Sequence, residues 1–207
     1  MITVSIIVPT YNEEKTIVEI LTRVKRQSVE GFRWEVIVVD DGSKDKTRQI
    51  LQAHPELYQK LIFREKNGGK GAAVISGLEA ATGSYILFQD ADLEYDPEDY
   101  AKLMVPIRRF QADLVLGSRF LAPEYSRVAF FWHMMGNRFI TFLFNLVNNT
   151  TFTDIYTCYV LYRRELVKPS DLKGRGWEQQ AEILTYAVKR GRVYYDVPIS
   201  YHGRTYA

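Results

Sequence analysis

The chain has 207 residues, of which 46% are hydrophobic and 25% are charged, and its formal net charge is +2. This length suits one globular domain with an adequate core, and the near balance of charge argues against nucleic acid as a partner. A single cysteine, Cys158, excludes an intramolecular disulfide, fits a reducing compartment and is expected in the core.

Strand and helix patterns alternate along the first 116 residues. Aliphatic and β-branched runs predict strands at 4–8, 36–39, 61–63, 85–89 and 114–116, and the first of them is expected to be central and buried on both faces. Apolar residues at helical spacing predict helices over 14–27, 45–53, 72–81 and 98–110. The alternation predicts an α/β fold with a mostly parallel central sheet flanked by helices.

Polar residues follow four of the predicted strands. They occupy 9–13, 40–41, 90–94 and 118–119, and the carboxyl ends of parallel strands meet at one edge of a sheet. In an extended backbone, Asp90, Asp92 and Glu94 point to one side, and hard carboxylate oxygens suit Mg²⁺ or Mn²⁺ bound with a diphosphate. The alternative is a solvated turn ahead of a helix that begins near Pro97.

Two common nucleotide-binding patterns are absent. The segment 9–13 contains no glycine, whereas a dinucleotide-binding fold needs a glycine-rich turn after its first strand. The run Gly69-Lys70-Gly71 has Val74 where the third glycine of that pattern belongs, and it lacks the order of a P-loop. The glycine-rich run therefore serves another purpose.

Five segments together resemble family 2 glycosyltransferases of the GT-A fold. They are 7–13 (IVPTYNE), 38–43 (VVDDGS), 67–73 (NGGKGAA), 89–95 (QDADLEY) and 116–120 (LGSRF), and within the family they look most like dolichyl- or polyprenyl-phosphate mannose synthases. The resemblance continues through 152–159 and 197–201. It implies one GT-A domain over 1–207, acting as a hexosyltransferase.

The resemblance also implies a set of site residues. The metal ligands would be Asp90, Asp92 and Glu94, and the catalytic residues Asp92, Arg119 and Asp90. The donor, a GDP- or UDP-sugar, would contact Pro9, Tyr11, Glu13, Val38, Asp40, Asp41, Lys70, Asp90, Ala91, Asp92, Arg119 and Arg204.

Chemistry suggests roles for several of these positions. Tyr11 would stack on the base, Glu13 would accept hydrogen bonds from the ribose, and Asp40 would accept one from a base N–H. Asp41 has an alternative role as a helix N-cap. Lys70 would lie near the sugar diphosphate, or else extend from its loop into solvent.

The resemblance implies inverting, metal-dependent transfer of mannose or glucose to dolichyl or polyprenyl phosphate. A lipid phosphate is already ionised and needs cations rather than a base, with Arg119 as first choice and Arg127, His133 and Arg138 as second choices. One alternative is a saccharide acceptor with Glu178 or Glu182 as base, where Glu182 matches an acid of the family. Another is a nucleotide-sugar-binding module without turnover.

Residues 128–149 form a predicted amphipathic segment. Its polar stripe recurs every four residues at His133, Asn137, Thr141 and Asn145, and aromatic and aliphatic side chains fill the other side. No run of 18 apolar residues predicts a spanning helix, and no signal peptide is expected. We expect peripheral contact with the cytoplasmic membrane face; the alternative is packing on the domain or on a second copy in a homodimer.

Overall fold

The computed structural model describes residues 1–121 and 131–203. Within these ranges the strands form one seven-stranded sheet. They are β1 (Ile2–Thr10), β2 (Phe32–Asp40), β3 (Lys60–Phe63), β4 (Tyr85–Phe88), β5 (Leu114–Ser118), β6 (Val160–Arg163) and β7 (Tyr194–Pro198).

The order across the sheet is β3-β2-β1-β4-β6-β5-β7. β6 runs antiparallel to β4 and β5, and the other neighbouring pairs are parallel. The predicted α/β architecture is therefore confirmed. The carboxyl ends of β1, β2, β4 and β5 lie along one edge of the sheet, which we call the carboxyl edge.

Six helices accompany the sheet within the described residues. They are α1 (Ile17–Arg26), α2 (Thr47–Ala53), α3 (Lys70–Ala80), α4 (Tyr100–Phe110), α5 (Phe131–Asn148) and α6 (Glu178–Arg190). The apolar face predicted for α1 is confirmed, because Ile17, Ile20, Leu21 and Val24 are buried. α3 begins earlier than the sequence predicts, which places Lys70 at its first turn and at the carboxyl edge.

α5 turns its polar stripe toward the domain. The Asn145 amide donates to the Phe152 carbonyl at 2.7 Å, the Asn137 amide donates to Asp154 Oδ1 at 3.2 Å, and Thr141 is buried. The opposite face is exposed and apolar, and it includes Phe131, Trp132, Met135, Phe139, Phe142, Leu143, Leu146 and Val147. The alternative in which this face packs on the domain is therefore wrong.

Residues 128–130 of the predicted amphipathic segment lie outside the described residues, as do Arg127 and Arg204. Among the helices of the described ranges, none has the length and apolar character needed to cross a membrane.

Candidate functional site

The loops that follow β1 and β2 are joined at the carboxyl edge. The Asn12 N–H donates to Ser43 Oγ at 2.9 Å, and Asn12 takes a φ of +54°, which asparagine tolerates better than most residues. Glu13 accepts a hydrogen bond from Thr16 Oγ1 at 2.7 Å. The neighbouring Tyr11 is 39% exposed, so its ring is accessible at the rim of the site.

Asp40 ends β2 as a buried carboxylate. Its Oδ2 accepts from Arg48 Nε at 2.5 Å and from the Ser43 N–H at 3.3 Å, whereas its buried Oδ1 has no hydrogen-bond partner within the described part of the chain. A buried acceptor without a partner costs free energy unless a ligand or water supplies a donor. Asp40 Oδ1 is thus a buried acceptor with unused hydrogen-bonding capacity.

Asp41 holds the glycine-rich loop. Both of its carboxylate oxygens accept from the Gly68 N–H, at 3.1 and 3.2 Å, and Oδ1 lies 3.0 Å from Arg64 Nε. Its alternative role as an N-cap is wrong, because α2 begins at Thr47, whose N–H donates instead to Asp45. The carboxylate of Asp41 connects the loop after β2 to the start of α3.

Lys70 and Asp90 form an ion pair across the site, with Nζ 2.5 Å from Oδ1. Desolvation alone would lower the pKa of the Lys70 ammonium, but the charges of Asp90 and Asp92 outweigh it and raise that pKa above its ordinary value. Lys70 is therefore fully charged at neutral pH. The Asp90 N–H is bonded to Cys158 Sγ at 3.1 Å, which helps to fix the backbone that carries this carboxylate.

The three acids after β4 do not follow an extended backbone, so the geometry expected from their spacing is wrong. Leu93 has a φ of +63°, and Asp92 Oδ1 accepts from the Glu94 N–H at 3.1 Å in a tight turn. Glu94 Oε2 accepts from the Tyr201 hydroxyl at 2.8 Å. No group of three His, Cys, Asp or Glu side chains with metal-binding geometry occurs within residues 1–121 and 131–203.

Arg119 is held by a buried carboxylate. Its Nε lies 2.7 Å from Asp154 Oδ2, and its Nη2 donates to Asp154 Oδ1 at 2.9 Å and to the Tyr156 carbonyl at 3.1 Å. Burial alone would lower the pKa of the guanidinium, but Asp154 outweighs it and raises that pKa. Most of the Arg119 guanidinium, which was predicted to bind the acceptor phosphate, is thus engaged by Asp154.

A second guanidinium lies near the same aromatic ring as that of Arg119. The Arg119 and Arg138 guanidinium carbons lie 5.7 and 5.8 Å from the centre of the Phe120 ring. Arg138 is exposed on α5, and His133, five residues earlier on the same helix, is also exposed. Arg138 therefore brings positive charge from α5 to the end of β5, where the sequence placed the acceptor phosphate.

Glu178 and Glu182 hold the loop that precedes α6. Glu182 accepts from the N–H groups of residues 173–174, and Glu178 accepts from those of residues 175–176, with distances of 3.0 to 3.1 Å. The backbone hydrogen bonds lower the pKa of Glu178. Both candidate bases therefore stabilise a loop, and Glu178 is a weaker base than an ordinary glutamate.

The loop of residues 173–177 packs against the glycine-rich loop. The Gly71 N–H donates to the Arg175 carbonyl at 3.1 Å, and the Gln179 amide donates to the Gly71 carbonyl at 3.0 Å. Between the two loops lies a cavity of about 300 Å³. Lys70 lies at its rim, with Nζ 6.0 Å from the centre of the Trp177 ring, and Trp177 is 76% exposed.

Two residues of the predicted donor pocket have side chains in the core. Val38 lies within β2 and is fully buried, and Ala91 is 4% exposed. Pro9, in β1, is partly buried. The donor contacts of all three remain predictions.

The sequence analysis placed Asp154 at the catalytic face but missed its pairing with Arg119, and it missed the contact of Gln179 with Gly71. Asp154 lies 35 residues after Arg119, and Gln179 lies 108 residues after Gly71, so no local spacing signals either contact. The acid in the segment 152–159 was an available hint, because a buried arginine at a strand end needs a carboxylate partner.

Comparison with known proteins adds a family assignment. Residues 5–169 match the model described as "Glycosyl transferase family 2". The chain is 38% identical over 119 residues to dolichol-phosphate mannosyltransferase of Pyrococcus furiosus, an alignment that covers 57% of this chain and 33% of that protein. It is 36% identical over 137 residues to dolichyl-phosphate beta-glucosyltransferase ALG5D of Trichomonas vaginalis, covering 60% of this chain and 42% of that protein.

The chain thus spans less than half the length of either curated relative. Among solved structures, glucosyl-3-phosphoglycerate synthase from Mycobacterium tuberculosis, in complex with Mn²⁺, uridine diphosphate and glucosyl-3-phosphoglycerate, aligns with a TM-score of 0.71. The sequences are 21% identical, and the alignment covers 98% of this chain and 73% of that one. The two proteins share the GT-A fold.

Proposed function

Because the chain belongs to glycosyl transferase family 2, we propose that it transfers a hexose, mannose or glucose, from a nucleotide diphospho-sugar to dolichyl or polyprenyl phosphate. The names of two curated relatives, a dolichol-phosphate mannosyltransferase and a dolichyl-phosphate beta-glucosyltransferase, support this acceptor. An oxygen of the lipid phosphate attacks the anomeric carbon while the bond from that carbon to the nucleoside diphosphate breaks. This single displacement inverts the anomeric centre.

The loops after β1 and β2 support a nucleoside pocket. Tyr11 offers an exposed ring for stacking, and Asp40 Oδ1 offers an acceptor that lacks a partner in the described residues. A base with an N–H group, such as uracil or guanine, would satisfy this oxygen. The choice between GDP and UDP depends on the shape of the filled pocket.

The acids after β4 fit a divalent ion that binds together with the donor. Mg²⁺ is commonly held by one or two carboxylates plus substrate phosphates, so Asp90 and Asp92 suffice without a third protein ligand. Glu94, already bonded to Tyr201, would contribute less. A bound Mg²⁺ or Mn²⁺ would neutralise charge on the leaving diphosphate, and Mn²⁺ accompanies uridine diphosphate in the solved neighbour.

The orientation of α5 is the observation that carries the proposed acceptor. Its apolar face points away from the domain, and Arg138 on the same helix lies near the Phe120 ring, which the Arg119 guanidinium also approaches. A helix of this kind suits the headgroup layer of a membrane, where its aromatic side chains are buried and a lipid phosphate meets the arginines. Peripheral membrane contact therefore belongs to the proposal.

The loop before α6 gives less support to a saccharide acceptor. A sugar hydroxyl needs a base, and both candidate carboxylates accept two backbone N–H groups each. An ionised phosphate has no such need. The arrangement of Glu178 and Glu182 therefore favours the lipid phosphate.

A transfer assay tests the proposal. The protein is incubated with Mn²⁺, labelled GDP-mannose or UDP-glucose and a short polyprenyl phosphate, and the products are extracted into organic solvent. We expect label in the organic phase only when donor, metal and lipid phosphate are all present. Label found in added oligosaccharide instead would support the saccharide acceptor, and donor binding without any transfer would support a binding module.

A matched pair of variants examines the acceptor site. Arg138→Gln removes the cation on α5, whereas Arg108→Gln removes an exposed arginine on α4, away from the end of β5. We expect Arg138→Gln to raise KM for polyprenyl phosphate about tenfold and to leave KM for the donor unchanged. Equal kinetics for both variants would remove Arg138 from the acceptor site.

A further inference from the structure

We infer that Lys70 occupies the metal-binding oxygen of Asp90 in the free protein, so that a divalent ion binds well only after a nucleoside diphosphate draws Lys70 away. The inference rests on the proposed function, because it takes Asp90 and Asp92 as the ligands of that ion. The inference gives Lys70 a new role: it makes binding of the divalent ion depend on prior binding of the diphosphate.

The ion pair between Lys70 and Asp90 occupies the carboxylate before any ligand binds. Nζ lies 2.5 Å from Oδ1, so the ammonium accounts for one lone pair of that oxygen and places a positive charge where a divalent ion would bind it. The Lys70 side chain is 43% exposed and that of Asp90 is 21% exposed. The pair therefore lies where an ion from solution would arrive, and the two cations compete for one carboxylate.

The charge state of Lys70 supplies the second step. A lysine ammonium is positively charged at neutral pH, so the ion pair with Asp90 persists there. Only a move of the side chain clears the oxygen. That move leaves a positive charge at the first turn of α3, where the helix dipole is also positive, unless an anion is present.

A nucleoside diphosphate supplies that anion. Phosphate oxygens near the start of α3 would accept from Lys70 and favour the positive end of the helix, and the Trp177 ring, 6.0 Å from Nζ, offers a second surface for the displaced ammonium. Asp90 is then free for the divalent ion. Diphosphate and metal thus help each other to bind, and their coupling is reciprocal.

The test measures metal binding without substrate turnover. Mn²⁺ is titrated into the nucleotide-free protein, and free Mn²⁺ is followed by electron paramagnetic resonance. We expect weak binding by the wild type and at least about tenfold tighter binding by Lys70→Met, which keeps the length of the side chain without its charge. Lys66→Met, at an exposed lysine of the same loop, should match the wild type.

A double variant identifies the site that gains affinity. Adding Asp90→Asn to Lys70→Met should abolish the gain in Mn²⁺ affinity, because the side chain at position 90 is then an uncharged amide. Thermal unfolding verifies that each variant is folded, and Lys70→Gln serves as a second neutral replacement. Equal Mn²⁺ affinity for the wild type and both neutral variants overturns the inference.

Binding of GDP or UDP with Mn²⁺ to the wild type separates this inference from the proposed function. If a nucleotide binds but Lys70→Met gains no metal affinity, the role of Lys70 is wrong and the proposed function stands. If neither nucleotide binds at any Mn²⁺ concentration, the proposed function is wrong, and the metal-only titration still judges Lys70.

Discussion

Two groups of carboxylates at opposite ends of the same strands are held in different ways. Toward the amino ends, Glu35 accepts hydrogen bonds from Ser5 at 2.5 Å, from the Thr82 hydroxyl at 2.7 Å and N–H at 2.9 Å, and it pairs with Lys60 at 2.9 Å. At the carboxyl edge, Asp90 pairs with the partly exposed Lys70, and Asp40 keeps one oxygen without a partner in the described residues.

The difference separates stability from function. Glu35 has several donors from three neighbouring segments, β1, β3 and the loop after α3, so its charge stabilises the fold and leaves little to offer a ligand. At the carboxyl edge, by contrast, Asp90 is paired with Lys70, whose partly exposed side chain can move away. Removing charge at the amino ends should therefore reduce stability, whereas removing it at the carboxyl edge should reduce transfer.

The largest expected effect is on transfer in Asp92→Asn. The amide keeps the oxygen that accepts from the Glu94 N–H, so the fold should remain, but it loses the charge proposed to hold the divalent ion. We expect a fall in kcat/KM of at least about a hundredfold with an unchanged melting temperature. Glu79→Gln, at an exposed position of α3, is the control. Retained turnover in Asp92→Asn would contradict the site assignment.

The reverse pattern is expected for Glu35→Gln. Burial alone would raise the pKa of Glu35, but hydrogen bonds from Ser5, Thr82 and Lys60 hold it at about 2. The shift from 4.5 corresponds to roughly 3 kcal/mol of folding free energy at neutral pH. Urea unfolding should show a loss of that order, with kcat/KM little changed for the folded fraction. An equal loss in the exposed control Glu165→Gln would refute the special role of Glu35.

The pH dependence of unfolding tests the same contribution of Glu35 to stability. The folded pKa of Glu35 lies below the unfolded value, so its stabilisation is complete above about pH 5 and is lost as the pH falls toward 2. Over that range the wild type should lose about 3 kcal/mol more than Glu35→Gln. Unfolding free energies measured at intervals from pH 5 to pH 2 compare the two proteins. If the unfolding free energies of the two proteins fall in parallel with pH, a group other than Glu35 dominates the loss of stability in acid.

The smallest effect is expected for a pair of glycine substitutions. A Cβ on Gly71 would lie 2.7 Å from the Arg175 backbone, so Gly71→Ala should force the 173–177 loop away and cost about 1–2 kcal/mol. A Cβ on Gly136 in α5 would meet no neighbouring atom within 4 Å, so Gly136→Ala should stabilise the protein by about 0.5–1 kcal/mol. Differential scanning calorimetry compares the two. If both variants stabilise the protein, the loops do not need their close approach.

The strands that sequence patterns predict are those that contain a recognisable aliphatic or β-branched run. β1 and β2 contain long runs of this kind and were found, whereas β6, with the sequence VLYR, and β7, which contains Asp196 and two tyrosines, were not predicted. The candidate acids were identified because they follow buried strands. Their partners were not, since contacts such as Arg119 with Asp154 depend on which strand ends become neighbours.

The backbone after β4 shows a second limit. Acids at alternate positions predict an extended segment, but Leu93 adopts a left-handed backbone conformation. Leucine rarely adopts this conformation, so the sequence does not predict the turn. The amphipathic pattern of α5, by contrast, was identified correctly from spacing. The direction of its apolar face follows from the Asn137 and Asn145 hydrogen bonds to the domain, which spacing alone does not reveal.

A crystal structure with Mn²⁺ and GDP or UDP tests the central claim most directly. We predict the ion between the diphosphate and Asp90 and Asp92, with Lys70 displaced from Asp90 toward the phosphates and the base near Tyr11 and Asp40. A nucleotide bound away from the carboxyl edge, or an ion bound elsewhere while Lys70 still pairs with Asp90, would contradict the account.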